Sequence, residues 1–135
     1  MALVRGVSRC AVMSTRKHKH WIVFREMMLA HLPPILGCTS EELPPVLTTK
    51  GRPKALKVGI TLDLLARFPN ANEPKLANWL QRWTIHWEYL KRIAQGRNRH
   101  DLDGNDVAPI TYCERHQARR RLGVRTASVN QRRAG

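Results

Sequence analysis

The residues of this chain best placed to do chemistry stand close together in Asn98-Arg99-His100-Asp101-Leu102-Asp103-Gly104-Asn105-Asp106. Three aspartates in so short a stretch could hold a cation, and a histidine beside them could move a proton. Their spacing speaks against both. Gly104 falls too early for a calcium-binding loop, and no bidentate acid follows at the twelfth position. An Asp-Gly pair between short extended segments reads instead as a tight hairpin turn, because glycine accepts positive backbone angles and aspartates close turns on their own backbone. Such a turn is expected to aim side chains, Arg99 among them, at something beyond it. The remaining histidines do not supply a site either. His18 and His20 sit in a basic leader, and His86, His100 and His116 have no carboxylate or cysteine at a metal-like spacing. We therefore expect no metal, no cofactor and no catalytic residue.

Charge suggests the ligand. Lysine and arginine number 24 against 10 aspartates and glutamates, giving a net charge of +14 and a pI near 11.1. That excess repels itself on folding, so a polyanionic partner is expected. Arginine supplies 17 of the 24 cations. Its planar fork matches phosphate oxygens and stacks on bases, which favours nucleic acid over an anionic membrane. Between Val107 and Gly135 the only acid is Glu114, so the cluster Arg115, Arg119, Arg120 and Arg121 is a candidate nucleic-acid contact. Cys10, Cys38 and Cys113 are odd in number and widely spaced, which fits neither a disulfide framework nor a zinc site and suggests a reducing cytoplasm. No apolar run reaches the roughly 18 residues of a membrane span.

The chain length suits one domain, expected over residues 18–123, with a basic flexible leader over 1–17 and a basic tail over 124–135. Met13 precedes the polar opening Ser-Thr-Arg-Lys, so residues 1–12 are expected to be an upstream extension or disordered. Trp21, Phe24, Met28 and Leu32 predict a first helix over His20–Leu32, ended by Pro33-Pro34. A prolyl connection follows, with one helical turn started by Thr39 or Ser40. Leu56, Ile60, Leu64 and Phe68 recur every fourth residue and predict a helix over Lys54–Phe68. The strongest periodicity, Leu76, Leu80, Trp83, Trp87 and Leu90, follows a start signal at Asn72-Glu73-Pro74 and is expected to break at the β-branched Thr84-Ile85. On this stripe Trp83 and Trp87 are core residues, whereas Trp79 lies off it and is expected to be exposed. Tyr89 fits a buried hydrogen-bonded phenol and a surface ligand group equally well. Thr111-x-x-Glu114 forms a capping box for a last helix that stops near Gly123. The fold class is mainly α with a small β-hairpin.

Four elements occur in a recognisable order: Lys54-Ala-Leu-Lys57-Val-Gly-Ile60, Leu80-Gln-Arg-Trp-Thr84, Trp87-Glu-Tyr-Leu90 and Arg99-His-Asp-Leu-Asp-Gly-Asn105. Together, over roughly His20 to Leu122, they resemble the FinO/ProQ family of bacterial RNA-binding proteins. The resemblance implies a compact, mostly helical domain with a hairpin that binds structured RNA, typically a terminator-like hairpin stem with its 3′ single-stranded end. It also implies an RNA chaperone that promotes pairing between small regulatory RNAs and mRNAs in post-transcriptional regulation. Lys54, Lys57, Tyr89 and Arg99 match positions on the RNA-facing side of that family. Lys75, Arg82, Arg97, Arg115 and Arg119 complete the expected RNA-binding set. Glu73, Ala77 and Gln81 stand where basic residues are usual; Lys75 and Arg82 lie one residue away, a rotation of about 100° on a helix. The competing reading is a DNA-binding helix-turn-helix regulator with Glu73–Leu90 as its reading element. An RNA-processing enzyme and a ribosome-associated protein are further alternatives.

Overall fold

The computed structural model describes residues 2–134, with side chains over 19–123. Its elements are α1 (Ala2–Leu36), a 3-10 turn (Ser40–Glu42), α2 (Pro45–Thr48), α3 (Ile60–Arg67), α4 (Glu73–Thr84), α5 (Trp87–Gln95), β1 (Asn98–His100), β2 (Asp106–Pro109) and α6 (Tyr112–Ala134). The expected class, mainly α with one hairpin, is what forms. The expected leader and tail lie outside the residues whose side chains are described.

The core is built where α1 crosses α4. Trp21, Met28, Leu32 and Leu36 of α1 meet Leu76, Trp79, Leu80 and Trp83 of α4, all buried. Trp79 and Trp87 correct the sequence reading, since Trp79 is only 4% exposed and Trp87 is half-buried outside the core. A core-facing stripe is wide enough to take both the third and the fourth residue of a turn, and Trp79 follows Leu76 by three and precedes Trp83 by four. Its ring stacks on Trp83 with centroids 4.9 Å apart, and its indole N–H donates to the Met28 carbonyl at 2.7 Å. The buried polar edge of the ring is thereby satisfied.

Helix α1 begins well before His20 and does not end at Pro33-Pro34. Proline removes its own amide donor but has a helical φ, so two prolines near a helix end leave the last turn intact when packing holds it. Leu32 and Leu36 supply that packing. The stop comes at Gly37, φ 71°, where the Pro33 carbonyl accepts from the amides of Gly37 and Cys38 at 2.8 and 3.1 Å. The 3-10 turn after it starts from Thr39 and closes with Glu42, as expected.

Residues 54–59 are not helical, against expectation. The Lys57 amide donates to the His100 carbonyl at 2.8 Å, and the His100 amide donates to the Ala55 carbonyl at 2.7 Å, so this segment runs beside β1 as a short parallel rail. Gly59, φ 83°, then turns the chain into α3. Leu56, Ile60, Leu64 and Phe68 are all buried, but only the last three lie on or beside a helix.

The break between α4 and α5 falls at the expected place. The Thr84 hydroxyl donates back to the Leu80 carbonyl at 2.9 Å, and His86 Nδ1 accepts from the Glu88 amide at 3.1 Å as the N-cap of α5. In the hairpin Asn98 pairs with Pro109 and Arg99 with Ala108, with an irregularity before His100–Asp106. One Asp101 oxygen accepts from the amides of Asp103 and Asn105, which closes the turn over Gly104, φ 88°. The Thr111–Glu114 capping box starts α6, with the Glu114 amide 3.2 Å from the Thr111 hydroxyl. This helix continues through Gly123 instead of ending there, because one glycine costs a helix only about 1 kcal/mol. Among the described residues no helix is long and apolar enough to cross a membrane, and no three His, Cys, Asp or Glu side chains are grouped to hold a metal.

Candidate nucleic-acid interface

The backbone of Leu56 ties the extended rail to both α5 and the hairpin. Its amide donates to the Tyr89 hydroxyl at 3.0 Å, and its carbonyl accepts from Arg99 Nη1 at 2.8 Å. Arg99 Nη2 pairs in turn with Glu114, whose other oxygen accepts from the Thr111 amide at 3.1 Å. One connected network therefore joins rail, α5, β1 and α6. Burial pushes the Tyr89 phenol above its ordinary value, only partly offset by the Leu56 amide and the Arg99 charge. Burial also works to raise the Glu114 carboxyl, but the Thr111 amide and hydroxyl together with Arg99 hold it below the usual range.

Tyr89 and Arg99 are thus committed to holding the fold. Tyr89 is 5% exposed, so its ring is closed to stacking on a base, and the Arg99 side chain is 13% exposed. They nevertheless form part of the wall of a cavity of about 280 Å³ that Thr84, Glu114, Gln117 and Arg121 complete. Beside it lies an open trough of about 820 Å³, which shares Thr84, Leu90, Gln117 and Arg121 as walls and adds Gln81 and Arg120. Cavity and trough together form a groove between the end of α4, the inner face of α5 and α6. Arg120 and Arg121 are exposed and, among the described residues, have no carboxylate within ion-pair distance.

The other expected residues are dispersed. The Lys54 ammonium lies over the hairpin turn, 3.6 Å from where a Gly104 Cβ would stand. Lys57 pairs with Asp63 at 2.9 Å. Arg115 donates to the Gly96 carbonyl at 3.3 Å and so ties α6 to the end of α5. Lys75 and Arg82, seven residues apart, share an exposed stripe of α4 that does not line the groove. Arg97 and Arg119 are exposed and line neither space. Thr84 and Gln117 were missed by sequence reasoning. The available signal was the four-residue step from Gln117 to Arg121 in the acid-free part of α6, which puts a neutral hydrogen-bonding group and a cation on one face.

The site is thus a groove in a small helical domain, edged by neutral hydrogen-bonding side chains and by arginines that, among the described residues, make no ion pair. The ProQ/FINO family model matches residues 30–135, and the chain belongs to that family. The RNA chaperone ProQ of Idiomarina loihiensis is 31% identical over 98 residues, covering 70% of this chain and 47% of that protein. The RNA chaperone ProQ of Aliivibrio fischeri is 31% identical over 108 residues, covering 78% of this chain and 52% of that protein. The chain spans about half the length of the curated relatives it matches. The crystal structure of a FinO-like RNA chaperone from Neisseria meningitidis MC58 superposes with a TM-score of 0.54 at 24% identity, over 99% of this chain and 97% of that one, a likeness of fold.

Proposed function

We propose that this protein is a non-enzymatic RNA-binding protein that takes hairpin RNA with a 3′ single-stranded end and acts as an RNA chaperone promoting RNA–RNA pairing. The observation that carries this reading is the groove edged by Arg120 and Arg121, with Gln81, Thr84 and Gln117 between them and the α4–α5 break. Arginines neutralise phosphates and release counterions, giving affinity without sequence information. The neutral side chains offer partners to 2′-hydroxyls, the groups by which RNA is told from DNA. The smaller cavity, walled by Tyr89, Arg99 and Glu114, is the place where a strand end is received, and its walls are rigid because the Leu56 network fixes them. Family membership and the names of the two ProQ relatives support the same reading.

The test is equilibrium binding, over a salt series, of a stem-loop RNA with a 3′ tail beside its tail-less form and the matching DNA hairpin. Preference for the tailed RNA is the expected outcome. Replacing Arg120 and Arg121 together by alanine should lower the slope of log affinity against log salt by about 1.4–1.8, the loss of two phosphate contacts. Equal binding of all three nucleic acids, or an unchanged slope in the double variant, would remove the groove from the binding face.

A further inference from the structure

The groove uses only one side of α5. At 100° per residue, Tyr89, Leu90 and Ile93, which wall the groove, point roughly 160° away from Glu88, Lys91, Arg92 and Gln95. These last four line a separate hollow of about 140 Å³ with Arg52. Three cations thus face one carboxylate. Among the described residues none of the three cations makes an ion pair, and Glu88 makes none either.

The hollow is built rather than incidental. Arg52 stands on a loop that is pinned on both sides of it. The Trp21 indole N–H donates to the Gly51 carbonyl at 2.8 Å, Arg92 Nε donates to the Pro53 carbonyl at 3.2 Å, and Arg25 donates to the Thr49 carbonyl at 2.9 Å. Gly51 turns the chain there with φ 92°. The Lys91 ammonium is held over the Trp87 ring, 5.0 Å from its centroid. The Arg92 bond uses Nε and leaves both terminal nitrogens for a ligand. An anion entering this hollow would meet Lys91 and Arg92 already held, so less side-chain entropy is lost on binding.

We propose that Arg52, Lys91 and Arg92 form a second phosphate site, on the face of α5 opposite the groove, that holds the backbone of a second RNA strand while a first strand occupies the groove. The proposal rests on the RNA-binding reading given above. It adds a second holding point to that reading, because pairing is sped when two RNAs are held on one protein. Cations on both sides of one helix keep two strands within a helix diameter, about 10–12 Å, and screen their mutual repulsion. Glu88 at the rim weakens capture, so that the second strand can leave once paired.

The experiment uses two differently labelled RNAs, a tailed hairpin and an unstructured strand complementary to its loop and tail. Energy transfer between them reports the ternary complex and the annealing rate. The full-length chain carrying Arg52→Ala with Lys91→Ala should bind the hairpin alone within about threefold of wild type. It should take the second strand about tenfold or more weakly, the loss expected for two phosphate contacts at moderate salt. Glu88→Gln should shift second-strand binding in the opposite direction, and an unchanged urea midpoint confirms that each variant is folded. A wild-type protein that binds the hairpin but never a second strand, or a double alanine variant that captures it as wild type does, overturns the second site and leaves the groove standing. If no RNA is bound at all, the functional reading falls and takes this site with it.

Discussion

Replacing Arg99 by alanine tests how much of the fold hangs on the Leu56 network. The guanidinium donates to the Leu56 carbonyl at 2.8 Å and pairs with Glu114, with only 13% of the side chain exposed. Its removal leaves the carbonyl of a buried residue without that donor and a half-buried carboxylate without its cation. A hydrogen bond from a charged donor contributes about 1.5–3 kcal/mol. An ion pair at this depth falls between the roughly 0–1 kcal/mol of exposed pairs and the 3–5 kcal/mol lost when one partner of a buried pair is deleted. Because Glu114 keeps the Thr111 amide and some access to water, we expect a total loss of about 2–4 kcal/mol, toward the lower end of the combined range. For a domain of this size that lowers the melting temperature by roughly 6–16 °C. Arg99→Lys should recover less than half, since a point charge on a single stem cannot serve carbonyl and carboxylate at once. The effect has a pH signature. The folded Glu114 carboxyl titrates below its ordinary value of 4.5, so its contribution is present above that value and is lost as pH falls through the folded value. The gap between wild type and variant should therefore narrow in acid. Urea titrations from neutral pH to pH 3 provide the measurement. An Arg99→Ala variant with an unchanged midpoint at neutral pH would refute the reasoning, whatever its affinity for RNA.

Two further substitutions probe the elements around that network. Tyr89→Phe leaves the Leu56 amide without its acceptor and should cost about 1–3 kcal/mol at pH 7. Burial raises the folded phenol above its ordinary value of 10.0, so the unfolded chain loses that proton first, and the advantage of wild type should shrink as pH rises past 10; a constant gap up to pH 11 would contradict it. Gly104→Ala meets only ordinary contact with Lys54, so its cost is the left-handed backbone itself, about 1–2 kcal/mol by urea denaturation, and no loss would mean that the turn conformation is wrong.

What could be read from the sequence was what local chemistry decides. The Asp-Gly turn, the Asn72 start, the Thr84-Ile85 break and the Thr111–Glu114 capping box each depend on residues within four positions of one another. Where partners are distant, local pattern misled. Leu56 continues the fourfold spacing of Ile60, Leu64 and Phe68, yet its conformation is set by His100, which bonds its neighbours from more than forty residues away. Pro33-Pro34 carries a stop signal that the burial of Leu32 and Leu36 overrides. Arg99 was recognised as important, but its use was hidden, because the carboxylate that claims it lies across the hairpin on another helix. Tyr89 stayed ambiguous for the same reason.

The distribution of acids explains why two of the three cations matched to the family, Lys57 and Arg99, are paired within the fold. Asp63, Asp103 and Glu114 pair with Lys57, Arg67 and Arg99, Asp106 lies 3.1 Å from the His100 ring, and all four contacts surround the hairpin and the rail beside it. Lys57, Arg67 and Arg99 are thereby used within the fold, which suits a region whose backbone bonds must stay intact to keep the cavity in shape. Beyond Glu114 the sequence contains no further acid, and among the described residues Arg115, Arg119, Arg120 and Arg121 make no ion pair. The hollow at the outer face of α5 has Glu88 alone against Lys91 and Arg92 of the helix and Arg52 of the adjoining loop. On the proposed reading, a polyanion approaching the molecule should be drawn to α6 and to the outer face of α5, where the described cations make no ion pair. On this account the hairpin residues govern affinity by keeping the groove rigid, whereas the arginines of α6 govern its dependence on salt. Substitutions at Arg99 should then change RNA binding and stability together, and those at Arg120 and Arg121 should change RNA binding alone.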